Sequence, residues 1–326
     1  MPLEPLIAIV IPAYKPDFLD ATLRSIANQQ PGAFRVYIGD DASPADLQRI
    51  CQPYASQFDL RFTRFDANLG QQSLVAHWNR CVRLSSEPWV WLFSDDDIME
   101  PGCIDRIREA IRAEGDQFDL FHLNVTAIDA HGAVLRQEPQ FPPVLAAAQF
   151  AAARLRFELA SYAPDYVFSR AAFDRIGGYV PFPLAWCSDD ATWISLAGER
   201  GIRTLNGPKV CWRLSGLNIT SHSPALVSRK IDAMLAYLLW LDAHFRNKSS
   251  DEQDSDANVL MANTPGWLYG QVNILGERFW PIQVWKVAWR LRHLPHHGFC
   301  RDLLRTFWFD SRHLRRRLVG SKFARS

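Results

Sequence analysis

Cysteine is scarce in this sequence and shows no pairing pattern. The 326 residues include six cysteines, and no two of them form a C-x-x-C motif. A zinc cage or a disulfide framework is therefore not indicated. No stretch approaches the roughly 18 uninterrupted apolar residues of a membrane span, and no basic segment followed by an apolar run stands near the start. We therefore expect a cytoplasmic protein that is neither secreted nor integral to a membrane.

Several common catalytic signatures are also missing. The sequence has no G-x-x-x-x-G-K-[ST], G-x-G-x-x-G, H-E-x-x-H or G-x-S-x-G motif. These absences remove the sequence support for an ATPase, a dehydrogenase, a zinc protease and an esterase. The formal net charge of +1 argues against a protein built to hold nucleic acid. With 48% hydrophobic residues, the chain has enough apolar side chains for a large globular core.

The first half of the sequence alternates short apolar runs with segments of helical periodicity. Such alternation predicts an open α/β sheet flanked by helices. In sheets of this kind, ligands bind beyond the carboxyl ends of the strands. We therefore expect the loops at 12–15, 39–43 and 94–97 to converge, which would place five aspartates near one cleft.

The end of the sequence differs in composition from the rest. Residues 247–258 read NKSSDEQDSDAN, a polar run that cannot bury a core face. We predict a catalytic domain at 1–246, a polar linker at 247–263 and an aromatic, basic helical tail at 264–326. Two roles for the tail stay open, namely peripheral binding to anionic lipid and packing as a helical subdomain or oligomer contact.

Residues 94–97, SDDD, directly follow a buried apolar run. Carboxylate oxygens at the end of a strand suit Mg²⁺ or Mn²⁺. The alternative is an acidic turn that caps the next helix.

Five motifs in order resemble those of family 2 glycosyltransferases. They are IVIPAY at 9–14, GDDAS at 39–43, NLG at 68–70, HWNR at 77–80 and SDDD at 94–97. The resemblance covers roughly residues 6 to 220. It implies the GT-A fold of nucleotide-diphospho-sugar transferases, a Rossmann-like open mixed sheet flanked by helices, here with a C-terminal helical extension. It also implies a nucleotide-sugar donor and a divalent cation, Mn²⁺ or Mg²⁺.

The resemblance assigns Pro12, Ala13 and Tyr14 to the pocket for the nucleotide base, where Tyr14 would stack on a pyrimidine ring. The alternative for Tyr14 is a buried position in the core. Asp40 or Asp41 would accept a hydrogen bond from the base or the ribose. One of these two aspartates could instead cap a helix beside the serine that follows.

Three further residues belong to the predicted donor site. Asn68 and Gly70 would line it, since glycine lets the backbone approach a ligand closely. Arg213, in the segment 212–222 that resembles the family's loop over the donor, would bind phosphate with two hydrogen bonds. For Arg213 the alternative is an ordinary surface arginine, and for Gly70 an ordinary turn.

In the acidic loop the family pattern usually reads D-x-D, but Ser94 stands where the first aspartate is common. We expect Asp96 to be the direct metal ligand and Asp95 to contact the ribose or a metal-bound water. Asp97 would be a second ligand or a structural partner. The cation would stabilise the negative charge that develops on the leaving group.

The second half of the sequence supplies a candidate general base. Residues 177–193 resemble the family's glycine pair followed by an acidic residue at the start of a helix. Asp189 is the first choice and Asp190 the second; either could accept the proton of the attacking acceptor hydroxyl, which would give inversion. The alternative is that both only stabilise the helix N-terminus.

Together these features predict an inverting, metal-dependent glycosyltransferase that uses a nucleotide-sugar donor, preferably a UDP-sugar. A glycan or a lipid-linked glycan would be the acceptor, in cell-surface polysaccharide or lipopolysaccharide synthesis at the inner face of the cell membrane. No nucleic-acid partner is expected. Two alternatives remain, a catalytically silent module that binds nucleotide-sugar or glycan, and a nucleotidyltransferase.

Overall fold

The computed structural model describes residues 6–30, 32, 34–216, 224–246, 259–275 and 281–306. Within them the chain forms one ten-stranded mixed sheet with helices. The strands are β1 (Ile7–Ala13), β2 (Phe34–Asp40), β3 (Leu60–Arg64), β4 (Trp89–Leu92), β5 (Ile98–Met99), β6 (Leu120–Ile128), β7 (Val134–Gln137), β8 (Val144–Leu145), β9 (Tyr166–Ser169) and β10 (Ile202–Arg213). The helices are α1 (Leu19–Ala27), α2 (Leu47–Cys51), α3 (Leu74–Val82), α4 (Cys103–Glu114), α5 (Ala147–Leu155), α6 (Arg170–Arg175), α7 (Ser188–Ala197), α8 (Val227–Arg246), α9 (Thr264–Ile274) and α10 (Pro281–Leu291).

The sheet has the order β3-β2-β1-β4-β9-β6-β10-β5. β1 pairs in parallel with β2 and β4, and β2 pairs in parallel with β3. β9 is antiparallel to both of its neighbours, β4 and β6. Because β1, β2 and β4 run in one direction, their carboxyl ends lie at the same edge of the sheet. The predicted open mixed α/β sheet is therefore confirmed.

β1 lies inside the sheet and is buried along nearly its whole length. Its run IAIVI consists almost entirely of apolar β-branched residues, which suit a strand covered on both faces. Registered pairing sets Pro12 opposite Gly39 and Ala13 opposite Asp40. The loop that follows β1 and the loop that follows Asp40 at the end of β2 thus begin at the same level of the sheet.

Two helices begin later than their local sequence suggests. Ser43 followed by Pro44 is a good N-cap signal, but the N-cap of α2 is Asp46, whose side chain accepts from the backbone N–H of Arg49 at 3.1 Å. The Ser43 hydroxyl instead donates to the carbonyl of Tyr14 at 2.7 Å. The alanine-rich stretch that follows Val144 becomes helical only at Ala147, because Val144 pairs with β10 as part of β8.

The chain divides into two compact units. The first comprises Met1–Phe150, Glu158–Pro181 and Ser188–Asn218 and contains the sheet, and the second comprises Ala151–Phe157, Phe182–Cys187 and Ile219–Ser326. The second unit includes α8, which the division predicted from sequence placed within residues 1–246. Residues 247–258 of the predicted linker lie outside the described residues, so that division stays a prediction.

The described part of the second unit is helical, which confirms a helical C-terminal region. Tyr237 on α8 packs against Trp267 on α9, with ring centroids 5.5 Å apart. Trp280, Trp308 and the arginines after residue 311 lie outside the described residues. None of the described helices is both long enough and apolar enough to cross a membrane.

His122 on β6 is a histidine that is buried among aromatic rings. Its ring stacks on Phe141 with centroids 3.8 Å apart, and neither ring nitrogen has a hydrogen-bond partner among the described residues. Burial lowers the pKa of His122 to about 3. The folded protein therefore holds this ring neutral at pH values where an unfolded chain would protonate it.

We predict that His122 makes the protein acid-labile. Between pH 6.5 and pH 3 the unfolded chain binds a proton that folded His122 does not, so stability is lost as the pH falls through this window. The substitution His122→Leu removes this proton uptake and should reduce the stability lost between pH 7 and pH 5 by about 2 kcal/mol. Urea unfolding at the two pH values measures the difference; parallel losses in both proteins would contradict the prediction.

Candidate active site

Three loops meet at the carboxyl ends of β1, β2 and β4. Oδ2 of Asp95 accepts hydrogen bonds from the backbone N–H groups of Tyr14 and Lys15, both at 2.9 Å. The backbone N–H of Asp41 donates to the carbonyl of Ala13 at 2.9 Å. Backbone groups at the end of β1 thus bind the acidic loops that follow β4 and β2.

Lys15 lies between two carboxylates of the acidic loop. Its Nζ is 2.7 Å from Oδ2 of Asp96 and 3.4 Å from Oδ1 of Asp95. Oδ2 of Asp96 also accepts from the hydroxyl of Ser215 at 3.0 Å. Both carboxylates are buried, whereas the Lys15 side chain is 25% exposed. The loop therefore presents two carboxylates that share one ammonium group.

Burial and the neighbouring charges together shift the pKa values of this cluster. Burial raises the pKa of Asp95, against the lowering effect of the Lys15 charge. Burial and the negative charge of Asp96 raise the pKa of Asp97 to about 8. For Lys15, burial lowers the pKa, but Asp95 and Asp96 outweigh it and the pKa rises. The ammonium of Lys15 is therefore charged at neutral pH.

Arg213 is a buried arginine that holds the acidic loop. Its backbone N–H donates to Oδ1 of Asp97 at 2.7 Å, and its Nε donates to the carbonyl of Asp96 at 2.7 Å. Its Nη1 donates to the carbonyls of Asp129 and Ala130. Arg213 is 3% exposed, so it is not a surface arginine. Its phosphate-binding role stays a prediction.

Asp40 is paired with an arginine from the neighbouring strand. Its Oδ2 accepts from Nη1 of Arg64 at 2.5 Å, and its Oδ1 accepts from the backbone N–H of Ser43 at 2.8 Å. Arg64 also donates to the Ser43 carbonyl at 2.8 Å. Asp40 therefore shapes the loop after β2, and a contact with base or ribose stays a prediction.

Asp41 holds the turn that precedes α3. Its two carboxylate oxygens accept from the backbone N–H groups of Leu69 and Gly70, each at 2.8 Å. Arg80 on α3 donates to Oδ1 of Asp41. His77 also lies 3.4 Å from this oxygen, but burial lowers its pKa to about 4, so it is neutral at pH 7. Arg80 is thus the cation that balances the charge of Asp41.

The turn 68–70 is closely packed against Asp41. Oδ1 of Asn68 accepts from the backbone N–H of Gln71 at 2.8 Å, so this side chain stabilises the turn. A Cβ added at Gly70 would lie 2.5 Å from Oδ2 of Asp41. Glycine at 70 is thus required by the carboxylate. Donor binding by Asn68 and Gly70 stays a prediction.

Tyr14 is 42% exposed at the end of β1, so it is not a buried core residue. Pro12 and Ala13 directly precede it within β1. An exposed ring beside the two aspartate loops is available to contact a ligand. Base binding by these three residues stays a prediction.

Asp189 and Asp190 lie in the first turn of α7. The side chain of Asp189 accepts from the backbone N–H of Asp190 at 3.0 Å. Asp189 is partly exposed and Asp190 is 5% exposed. Solvent can therefore reach Asp189 more readily, which favours it as the group that meets an acceptor.

The loop before α7 is attached to α3. The backbone N–H of Tyr179 donates to Oδ1 of Asn79 at 3.1 Å, and the rings of Tyr179 and Trp78 lie 5.2 Å apart. The N–H of Val180 donates to the Thr192 hydroxyl on α7 at 3.0 Å. The HWNR motif on α3 thus helps to place the helix that carries Asp189.

Sequence reasoning missed several residues of this site. Lys15 and Ser215 contact the acidic loop, and Arg64 pairs with Asp40. Arg80 stood in a quoted motif without a role. Lys15 directly follows the IVIPAY motif, which was the one available signal for it.

Among the described residues, no group of three or more His, Cys, Asp or Glu side chains could hold a metal ion. The carboxylates of Asp95 and Asp96 converge as a pair on the ammonium of Lys15. Oδ2 of Asp97 is buried and has no hydrogen-bond partner in the described part of the chain.

A family model described as Glycosyl transferase family 2 matches residues 8–175, more than half of the chain. The matched range includes the first three loops of the site and stops before α7. No match is found among proteins of curated function.

Solved structures of glycosyltransferases share the fold. Residues 1–349 of S. aureus TarS in complex with UDP-GlcNAc align with a TM-score of 0.64 and 13% identity, covering 95% of this chain and 91% of that one. The same TarS fragment with UDP gives a TM-score of 0.56 and 14% identity at the same coverage. The mannosyltransferase PcManGT from Pyrobaculum calidifontis, with GDP-Man and Mn²⁺, gives 0.52 and 14%, covering 95% and 87%. At these identities the likeness concerns the fold alone.

We predict that Gly70→Ala destabilises the protein by about 1–3 kcal/mol, since the new Cβ would clash with a carboxylate that three donors hold in place. Urea unfolding followed by tryptophan fluorescence measures the loss. Gly266→Ala is the control, because its Cβ meets nothing within 4 Å on the exposed side of α9. Equal stability of Gly70→Ala and the wild type would contradict the prediction.

Proposed function

Because the chain belongs to glycosyl transferase family 2, we propose that this glycosyltransferase uses a nucleotide-diphospho-sugar donor, preferably a UDP-sugar, and transfers the sugar with inversion. The acceptor is a glycan or a lipid-linked glycan, in the synthesis of a cell-surface polysaccharide or lipopolysaccharide. The observation that carries the proposal is the meeting of the loops after β1, β2 and β4, which places an exposed aromatic ring beside two sets of buried carboxylates.

The ligands of the structural relatives support the proposed preference for UDP. TarS was solved with UDP-GlcNAc and with UDP, whereas PcManGT was solved with GDP-Man. TarS gives the higher TM-scores of the two. In the proposed complex, Tyr14 stacks on the base, and Asp40 or Asp41 accepts from the base or the ribose. Each carboxylate has lone pairs beyond those used in the protein, so such a bond is compatible with the contacts of Asp40 and Asp41.

The acidic loop fits a divalent cation. Mg²⁺ in sites of this kind takes one or two carboxylates and completes its shell with substrate phosphates and water, so a cage of three protein ligands is not required. Asp96 would be the direct ligand, assisted by Asp95 or Asp97. When bound, the cation would neutralise charge on the departing nucleotide diphosphate. The buried Oδ2 of Asp97, which lacks a partner among the described residues, supports a site with capacity for one more polar contact.

The general base is proposed on α7. Asp189, which is partly exposed, accepts the proton of the acceptor hydroxyl, whereas Asp190 is nearly buried. Both residues stand in the first turn of α7, where the helix dipole attracts negative charge. An ionised carboxylate is the form that can take a proton, so the position suits Asp189 for this role.

We expect Asp96→Asn and Asp189→Asn to lower the transfer rate by at least about a hundredfold, because each removes a charge required in the transition state. Transfer is measured with a panel of UDP-, GDP- and dTDP-sugars and Mn²⁺ or Mg²⁺, after thermal shift has identified the donor that binds. Asp190→Asn is the matched comparison and should retain more activity than Asp189→Asn.

If Asp190→Asn loses more activity than Asp189→Asn, Asp190 would be the base. A thermal shift with a donor but no transfer in the wild type, with any acceptor tested, would favour a binding module. Full activity of Asp96→Asn would contradict the metal site.

We further propose that the second unit holds the enzyme at the cytoplasmic face of a membrane, where lipid-linked acceptors lie. Trp285 and Trp289, one turn apart on α10, are 57% and 52% exposed. Phe299 packs 5.3 Å from the Trp285 ring, and the guanidinium of Arg292 lies 3.9 Å over Trp289. An exposed patch of aromatic rings with a cation suits the headgroup region of an anionic bilayer.

We predict that wild-type protein co-sediments with vesicles containing phosphatidylglycerol, more strongly at low salt, and that Trp285→Ser with Trp289→Ser reduces the bound fraction several-fold. Ile274→Ser removes an apolar side chain that is 67% exposed on α9 and is the control. Undiminished binding of the double variant, or no binding of the wild type, would contradict this membrane role.

A further inference from the structure

Lys15 is a cation held within the acidic loop. Its ammonium lies 2.7 Å from Oδ2 of Asp96 and 3.4 Å from Oδ1 of Asp95. Two carboxylate oxygens on neighbouring residues thus converge on one positive charge. A divalent cation that used these oxygens would have to take the place of the ammonium, since two cations cannot share them without strong repulsion.

The backbone and the side chain of Lys15 are held differently. Its backbone N–H donates to Oδ2 of Asp95 at 2.9 Å, as does that of Tyr14, so the main chain is anchored to the acidic loop. The side chain is 25% exposed and has a flexible four-carbon stem. Its ammonium can therefore leave the carboxylates while the loop stays attached to β1.

We propose that the ammonium of Lys15 is an internal competitor of the divalent cation for Asp95 and Asp96. This inference rests on the proposed function, because it requires a metal at these carboxylates. In the free enzyme the ammonium neutralises the two carboxylates and weakens metal binding. When a nucleotide diphosphate is present, the displaced ammonium pairs with the phosphate oxygens, so metal and nucleotide strengthen each other's binding.

The loss of the ammonium therefore has two opposite effects. Metal alone should bind more tightly to a neutral variant, since no charge-assisted contact has to be broken. The additional gain that UDP confers on metal binding should shrink, since the variant has no ammonium to offer the diphosphate. If Lys15 had a purely structural role, its substitution would not produce both tighter metal binding and a smaller gain from UDP.

The experiment is a titration of the protein with Mn²⁺ followed by electron paramagnetic resonance, without and with UDP. For Lys15→Met without nucleotide, we expect metal affinity about tenfold above that of the wild type, the change for one charge-assisted contact that no longer has to be broken. Lys15→Gln is the second neutral variant in case Lys15→Met does not fold, and Lys15→Arg keeps the charge and should not tighten binding.

Two controls locate the effect. Lys209→Met removes the same charge from a lysine whose Nζ donates to Gln137, and it should bind Mn²⁺ like the wild type. Addition of Asp96→Asn to Lys15→Met should abolish the tighter binding. Unchanged or weaker metal affinity in both neutral variants, or tight binding that survives Asp96→Asn, would overturn the proposal.

The test separates this inference from the proposed function. A wild type that transfers sugar, together with neutral variants of unchanged metal affinity, would leave the glycosyltransferase in place and reject the role of Lys15. A wild type that transfers no sugar would reject the proposed function, whatever the metal titration shows.

Discussion

The carboxylate of Asp95 accepts two hydrogen bonds from consecutive backbone N–H groups, those of Tyr14 and Lys15, and much of the site depends on this contact. It attaches the acidic loop after β4 to the end of β1. The carbonyl of Ala13, the last residue of β1, accepts from the N–H of Asp41, and the carbonyl of Tyr14 accepts from the hydroxyl of Ser43. Three of these four hydrogen bonds use a loop side chain, that of Asp95 or of Ser43, so the attachment of the loops depends on those two residues.

The site concentrates five buried aspartates, and burial of a charge is costly unless it is paired. Each carboxylate has its own neighbouring group or environment that offsets this cost. Arg64 pairs with Asp40, and Arg80 pairs with Asp41. Lys15 serves Asp95 and Asp96 together, whereas burial and the charge of Asp96 raise the pKa of Asp97 to about 8. The ammonium of Lys15 is the positive charge that an incoming metal ion could most directly replace.

Several residues that resemble ligand-binding positions of the family also carry structural tasks. Asp41 holds the turn at 68–70, Asn68 stabilises that turn, and Arg213 donates to three backbone carbonyls. These contacts do not compete with a role in donor binding, because a carboxylate or a turn can serve both. They do mean that a substitution at such a residue changes the framework as well as the ligand contacts, which is why paired controls are needed to interpret it.

The sequence alone determined the alternation of strands and helices and the family resemblance, because periodicity and short motifs are local properties of the chain. It therefore predicted the open mixed sheet and which loops would meet. It did not predict that α2 is capped by Asp46, since Ser43 is drawn to a carbonyl of another loop.

Only the tertiary structure decided which charges pair with one another. Lys15 and Asp96 are separated by 81 positions, and Arg213 and Asp97 by 116. Partners this far apart leave no periodic signal in the sequence, because their contact depends on the order of the strands in the sheet and on the register between them. The sequence thus showed which residue types form the site, but the fold decides which charged groups pair with one another.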